Sequence, residues 1–80
     1  DAEMEHPVVK EIQEVVEELD NQITITDLHV WKVGRSKFSC ILSLNTVNDS
    51  LTAEVVRKAL SIHEEIVHIS VEINKNFHVV

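Results

Sequence analysis

Cysteine, glycine, proline and aromatic residues are nearly missing from this 80-residue chain, which has one Cys, one Gly, one Pro, one Trp, two Phe and no Tyr. A single Cys excludes an internal disulfide. A single Gly excludes the glycine-rich loop that cradles phosphates, and the "GRSK" stretch does not supply one. So little Gly and Pro excludes a linker or low-complexity segment. No run approaches the roughly 18–20 apolar residues of a membrane-spanning helix, and no signal peptide is visible. Basic residues are scarce: seven Lys and Arg stand against fourteen Asp and Glu, for a net charge of −7. That balance argues against nucleic acid, which needs a basic footprint. It mildly favours cations, and it also serves solubility. No nucleophile, base and acid share a catalytic spacing, so an enzyme is not expected.

What remains is a small single domain over residues 1–80. A chain of this length buries only about 60% of the surface its unfolded form exposes. Without a disulfide, the usual supports are a bound metal or a partner subunit. The chain opens on "DAEMEHP" without an initiator Met, which reads as part of a longer protein.

Two segments have helical periodicity. "PVVKEIQEVVEELD", Pro7 to Asp20, sets Val9, Ile12, Val16 and Leu19 on one stripe beside Val8 and Val15. Pro7 suits a first helical turn, where its missing N–H is not needed. In "TAEVVRKALSIH", Val55, Val56, Ala59, Leu60 and Ile62 point to a core, with Thr52 or Ser50 as the cap. Three segments read as strands. "ITITDLHVWKV" (Ile23 to Val33) and "FSCILSL" (Phe38 to Leu44) flank the "GRSK" turn as an antiparallel hairpin. "VHISVEI" then alternates Val67, Ile69, Val71 and Ile73 with His68, Ser70 and Glu72, and "NKNFHVV" reads as a tail.

The order αββαβ implies an α+β two-layer sandwich with both helices on one sheet face, since each helix has one apolar stripe. Alternation assigns Leu28, Val30, Phe38, Cys40, Leu42, Leu44, Ile69 and Val71 to the covered face. It assigns His29, Trp31, Ser39, Ile41, Ser43, Ser70 and Glu72 to the open one. A bulge in the first strand would shift these assignments by one residue. Trp31 and Ile41 are large apolar groups on the open face, which points to burial against a partner. A second copy of the chain is the simplest such partner.

The stretch "ITDLHVWKVGRSKF", with the αββαβ order, an acidic first helix and a β-branched last strand, resembles the C-terminal cytoplasmic domain of the cation diffusion facilitator family. Members of that family are proton-coupled exporters of divalent metals. The opening "DAEMEHPVV" is similar to the segment after the last transmembrane helix in its cobalt- or nickel-exporting branch. The resemblance covers essentially the whole chain. It implies a ferredoxin-like (metallochaperone-like) domain that forms a homodimer on the cytoplasmic side of the membrane, joined to the transporter's transmembrane domain. In many members this domain also binds zinc or a similar ion at the dimer interface.

The sequence departs from the family at its usual ligands. Thr26 stands where many members have a His before the "DL" pair. Neither Leu42 nor Ser43 is a His. Glu72 and Asn74 replace a His and an Asp near the end of the last strand. Dimerisation therefore carries over better than the metal site. The strongest donors for a zinc, cobalt or nickel ion are His29 and Glu72 on the open face, which need to be laterally close, with His6 next. His29 alternatively hydrogen-bonds or packs beside Trp31 at the interface, which Ile41 also lines.

The other candidates fit blander roles. His63 and His68 lack the i, i+4 spacing of a helical zinc pair, and His78 falls in the tail. Cys40 is an apolar filler in a pattern that suits a reducing compartment. Arg35 and Lys37 sit at a solvated hairpin tip. Two rival readings remain: a dimerisation scaffold with no ligand, and a small-molecule-binding regulatory module of the ACT-like kind. The ACT-like module is disfavoured because such modules begin with a strand and carry a Gly-rich loop.

Overall fold

A computed structural model describes residues 7–75. The elements run α1 (Pro7–Leu19), β1 (Thr24–Gly34), β2 (Lys37–Thr46), α2 (Ala53–Leu60) and β3 (Ile66–Lys75). They form an α+β fold with a three-stranded mixed sheet, compatible with a ferredoxin-like sandwich. The strand order is β1-β2-β3. β1 runs antiparallel to β2, and β3 runs parallel to β2 after the α2 crossover. His6 and His78 lie outside the described residues, as does the tail beyond Lys75. The first two tail residues, Asn74 and Lys75, belong to β3 instead.

The core is a single cluster that joins both helices to one sheet face. α1 contributes Val8, Val9, Ile12 and Val16, and α2 contributes Val56 and Leu60. They meet Leu28 and Val30 of β1, Phe38, Cys40, Leu42 and Leu44 of β2, and also Leu51 and Ile66. Each helix therefore buries one stripe, and β2, flanked on both edges, supplies the most deeply buried strand. Thr52 caps α2: its Oγ1 accepts from the Val55 N–H at 3.2 Å. Ser50 does not cap; its N–H donates to the Asn48 side chain at 2.9 Å.

α2 is shorter than its periodicity suggests. It ends at Leu60, and the Ser61 N–H closes the last turn on Arg57 and Lys58. Ile62, expected in the core, falls in the following turn and is 74% exposed. Val55 is also exposed, because an eight-residue helix has room for one narrow stripe, here Val56 and Leu60. On β3, Ile69 and Val71 are only partly buried, as befits an edge strand lying beside a single neighbour.

Three irregularities set which side chains face out. The β1–β2 register slips between Ile25 and Asp27, and again between Lys32 and Gly34. The first slip absorbs Thr26, whose hydroxyl donates to the Ser43 carbonyl at 3.1 Å. Downstream of it the alternation assigned from sequence holds, with Leu28 and Val30 inside and His29 and Trp31 outside. The third slip lies where Phe38 pairs with Ile66 but Ser39 pairs with His68. Val67 is the extra residue there, so it is exposed and Ile66 takes the inward place.

In the hairpin, Ser36 rather than Gly34 adopts the left-handed conformation, with φ 55°. The lone glycine is therefore not the turn's positive-φ residue. A bent loop returns the chain from β2 to α2. Asn48 organises it by donating its side-chain amide to Asp20 Oδ2 at 2.8 Å and its backbone N–H to Thr46 Oγ1 at 2.9 Å.

Candidate functional sites on the open sheet face and at the helix junction

The sheet register lays the open face out as rows. Trp31, Ser39 and His68 form one row; His29, Ile41 and Ser70 the next; Asp27, Ser43 and Glu72 the third. Trp31 and Ile41 are diagonal neighbours, within reach of an aromatic ring. Trp31 is half-buried and Ile41 is 43% exposed. Ser39, assigned to the open face as a wetted residue, is instead 4% exposed. It sits on that face between Trp31 and His68, whose larger side chains flank it on both strands. Among the described residues no helix covers this surface, because the core cluster takes both helices to the opposite face.

The ligand candidates on this face do not converge. His29 and Glu72 lie on the two edge strands, with β2 between them and one row of offset. Strand spacing of about 4.8 Å and a rise of about 3.4 Å per residue put them roughly 12 Å apart. Each has a nearer neighbour: His29 Nε2 is 3.1 Å from Asp27 Oδ2, and Ser43 Oγ is 3.5 Å from Glu72 Oε1. Among the described residues, the three donors whose ligand atoms lie within 4.8 Å of one another do not include His29 or Glu72.

Three other donors do come together, at the junction of α1, the turn after α2, and the start of β3. Glu11, His63 and Glu65 place one ligand atom each within 4.8 Å of one another. Glu11 lies at the margin of the buried α1 stripe, next to Ile12. His63 and Glu65 are two residues apart in the turn between α2 and β3, a spacing that favours the same side of an extended chain. Their backbone is fixed on three sides: the His63 N–H donates to the Leu60 carbonyl at 3.0 Å, the Ile66 N–H to the His63 carbonyl at 2.9 Å, and the Phe38 N–H to the Glu65 carbonyl at 2.7 Å.

The electrostatics follow from crowding two carboxyl groups. The pKa of Glu11 is raised, first by its hydrogen bond to the Glu65 carboxylate, then by burial and by repulsion from Glu65; His63 pulls it the other way. Glu65 is lowered, by its own backbone N–H and then by the Glu11 carboxyl. Two carboxyl groups in contact titrate as a pair, and here Glu11 is the one pushed up and Glu65 the one held down. His63 Nδ1 stands 3.5 Å from Glu11 Oε1. That oxygen is buried and has no hydrogen-bond partner. Lys32 lines a pocket of about 250 Å³ that adjoins Glu65.

This cluster was not legible in the sequence. Its members are 52 and two positions apart, and His63 was weighed only against His68. The usable signal was the "HEE" turn facing the first turns of an acidic helix. The remaining surface is less structured for chemistry. The groove beside Glu14, Glu17 and Glu18 is lined by Asn21 and Ile23 and holds no converging His or Cys. Cys40 is buried, and burial pushes its thiol pKa up to about 11, as expected of a filler rather than a nucleophile. Arg35 and Lys37 are exposed at the hairpin tip. Among the described residues no helix is long and apolar enough to cross a membrane.

Neither a family model, a curated protein nor a solved structure matches this chain.

Proposed function

We propose that this chain is a cytoplasmic dimerisation and regulatory domain of a divalent-metal exporter of the cation diffusion facilitator kind, paired with a second copy of itself and joined to the transporter's transmembrane domain. The observation that supports this reading is the helix-free sheet face, on which Trp31 and Ile41 lie side by side among short polar groups. A domain of this size gains most from covering such a face. In a symmetric dimer the same patch meets itself, so one apolar pair per chain becomes a four-residue centre. The "DLHVW" stretch that carries the family resemblance is the strand that presents Trp31. The role is one of steadying two transporter halves by association, and it involves no catalysis.

A metal that regulates the dimer must bind one arrangement of the two subunits better than another. Its candidate donors on this face, His29 and Glu72, lie on opposite edge strands of the sheet. Light scattering and sedimentation of the metal-free chain test the association. The expected result is a dimer whose Ile41→Glu variant is monomeric with an unchanged far-UV circular dichroism spectrum. A wild-type chain that stays monomeric at high micromolar concentration overturns the reading.

A further inference from the structure

We propose that Glu11, His63 and Glu65 form a divalent-cation site inside a single protomer, binding a first-row ion of the zinc, cobalt or nickel class through one imidazole nitrogen and two carboxylate oxygens. Three observations carry this. The donor set mixes an imidazole with carboxylates, which suits these ions; an all-oxygen cluster would suit calcium or magnesium. The geometry is close to that needed. Donors about 2.1 Å from a tetrahedral ion stand about 3.4 Å from each other, and His63 Nδ1 and Glu11 Oε1 are already 3.5 Å apart. The third donor lies within 4.8 Å of both, a gap that a Glu side chain closes by a small torsional change. Lastly, Glu11 Oε1 is buried and accepts no hydrogen bond, and its close neighbour is the His63 ring nitrogen at 3.5 Å.

Three protein donors leave the fourth position to water, the arrangement of an open site. The supports are already in place. His63 and Glu65 are held through their backbone to Leu60, Ile66 and Phe38, so binding would order little besides side-chain torsions. The ion's positive charge would also offset the repulsion between the two carboxyl groups it joins. Structurally it would tie α1 to the turn that joins α2 to β3.

All three donors belong to one chain, so the site stands or falls independently of the dimer. Association is read by light scattering without metal, and the site by metal titration. The experiment titrates the metal-free 80-residue chain with cobalt chloride near neutral pH. It follows calorimetric heat and the visible absorption of bound cobalt, and zinc chloride then competes. The expected result is one cobalt per protomer and visible bands of a nitrogen- and oxygen-ligated ion. His63→Ala and the isosteric Glu11→Gln should each weaken binding by at least about tenfold, the scale seen even for residues one shell further out. His29→Ala and Glu72→Gln should leave it unchanged. Should His63→Ala fail to fold by circular dichroism, Glu11→Gln and Glu65→Gln decide. Absence of saturable binding overturns the proposal. So does binding that survives Glu11→Gln and Glu65→Gln, or that is lost only on His6→Ala.

Discussion

Leu42 and Ile41 are neighbours on the central strand and point to opposite faces, so truncating each to Ala separates the core from the open surface. Leu42 is 0% exposed and lies in the cluster with residues of both helices. Such a Leu→Ala change costs about 2–5 kcal/mol, because the close-packed surroundings only partly collapse into the space left behind. At roughly 0.05–0.15 kcal/mol per residue an 80-residue domain has about 4–12 kcal/mol of stability in total, so this one change removes a large share of it. Ile41 is 43% exposed in the single chain. Full burial of such a side chain is worth about 1.5–3 kcal/mol, so its truncation in a monomer costs about 1 kcal/mol or less. In a dimer that covers the face, the cost rises towards the full value and depends on protein concentration, as any association does. The assay is urea unfolding of both variants and the wild type at two concentrations a hundredfold apart. A loss below about 1 kcal/mol for Leu42→Ala would refute the assignment of β2 to the centre of the core. A midpoint for Ile41→Ala that differs from wild type by the same small amount at both concentrations would refute the covered face.

Three further outcomes are expected. Ser36→Gly should stabilise the chain by up to about 1 kcal/mol, since a non-glycine residue in the left-handed region is strained; for a domain this size that is a rise of about 4–8 °C in Tm, and a fall in Tm would show that the hairpin tolerates its serine without strain. Cys40 should resist alkylation and disulfide exchange in native buffer and react fully in denaturant; native reactivity matching that of a free thiol would contradict its burial. Asp20 has its pKa lowered by the Gln22 N–H and then by the Asn48 amide. A carboxyl whose folded pKa is depressed stabilises the fold above its unfolded value, about 3.9, and loses that contribution as pH falls through the folded one. Wild type should therefore be more stable than Asp20→Ala near neutral pH, with the gap narrowing below about pH 4, and a gap that stays constant into acid would remove the linkage.

Most of the architecture was legible because it rests on short-range rules. The 3.6-residue stripe of α1, the alternation of β2 and the brief "GRSK" turn each follow from local chemistry, and together they imposed αββαβ with both helices on one face. Boundaries failed where a single residue decides. Ile62 looked like the next step of an amphipathic helix, but Ser61 ends that helix one residue earlier. Val67 looked like part of a strict alternation, but the bulge opposite Phe38 and Ser39 turns it outwards. The open-face site was legible only as a set of residues on one face. Whether His29 and Glu72 meet depends on strand order, and alternation carries no information about which strand lies between them.

The sequence by itself determined which residues prefer water and which do not, how many helices and strands there are, and the faces on which Cys40, Trp31 and Ile41 fall, because these depend on neighbours a few positions away. Tertiary structure alone decided that β2 lies in the middle, which parts His29 from Glu72. It also decided that α1 lies against the turn after α2, which brings Glu11 within 3.5 Å of His63. Those distances come from the packing of apolar faces far apart along the chain, and that packing places polar side chains beside partners that no local spacing could indicate.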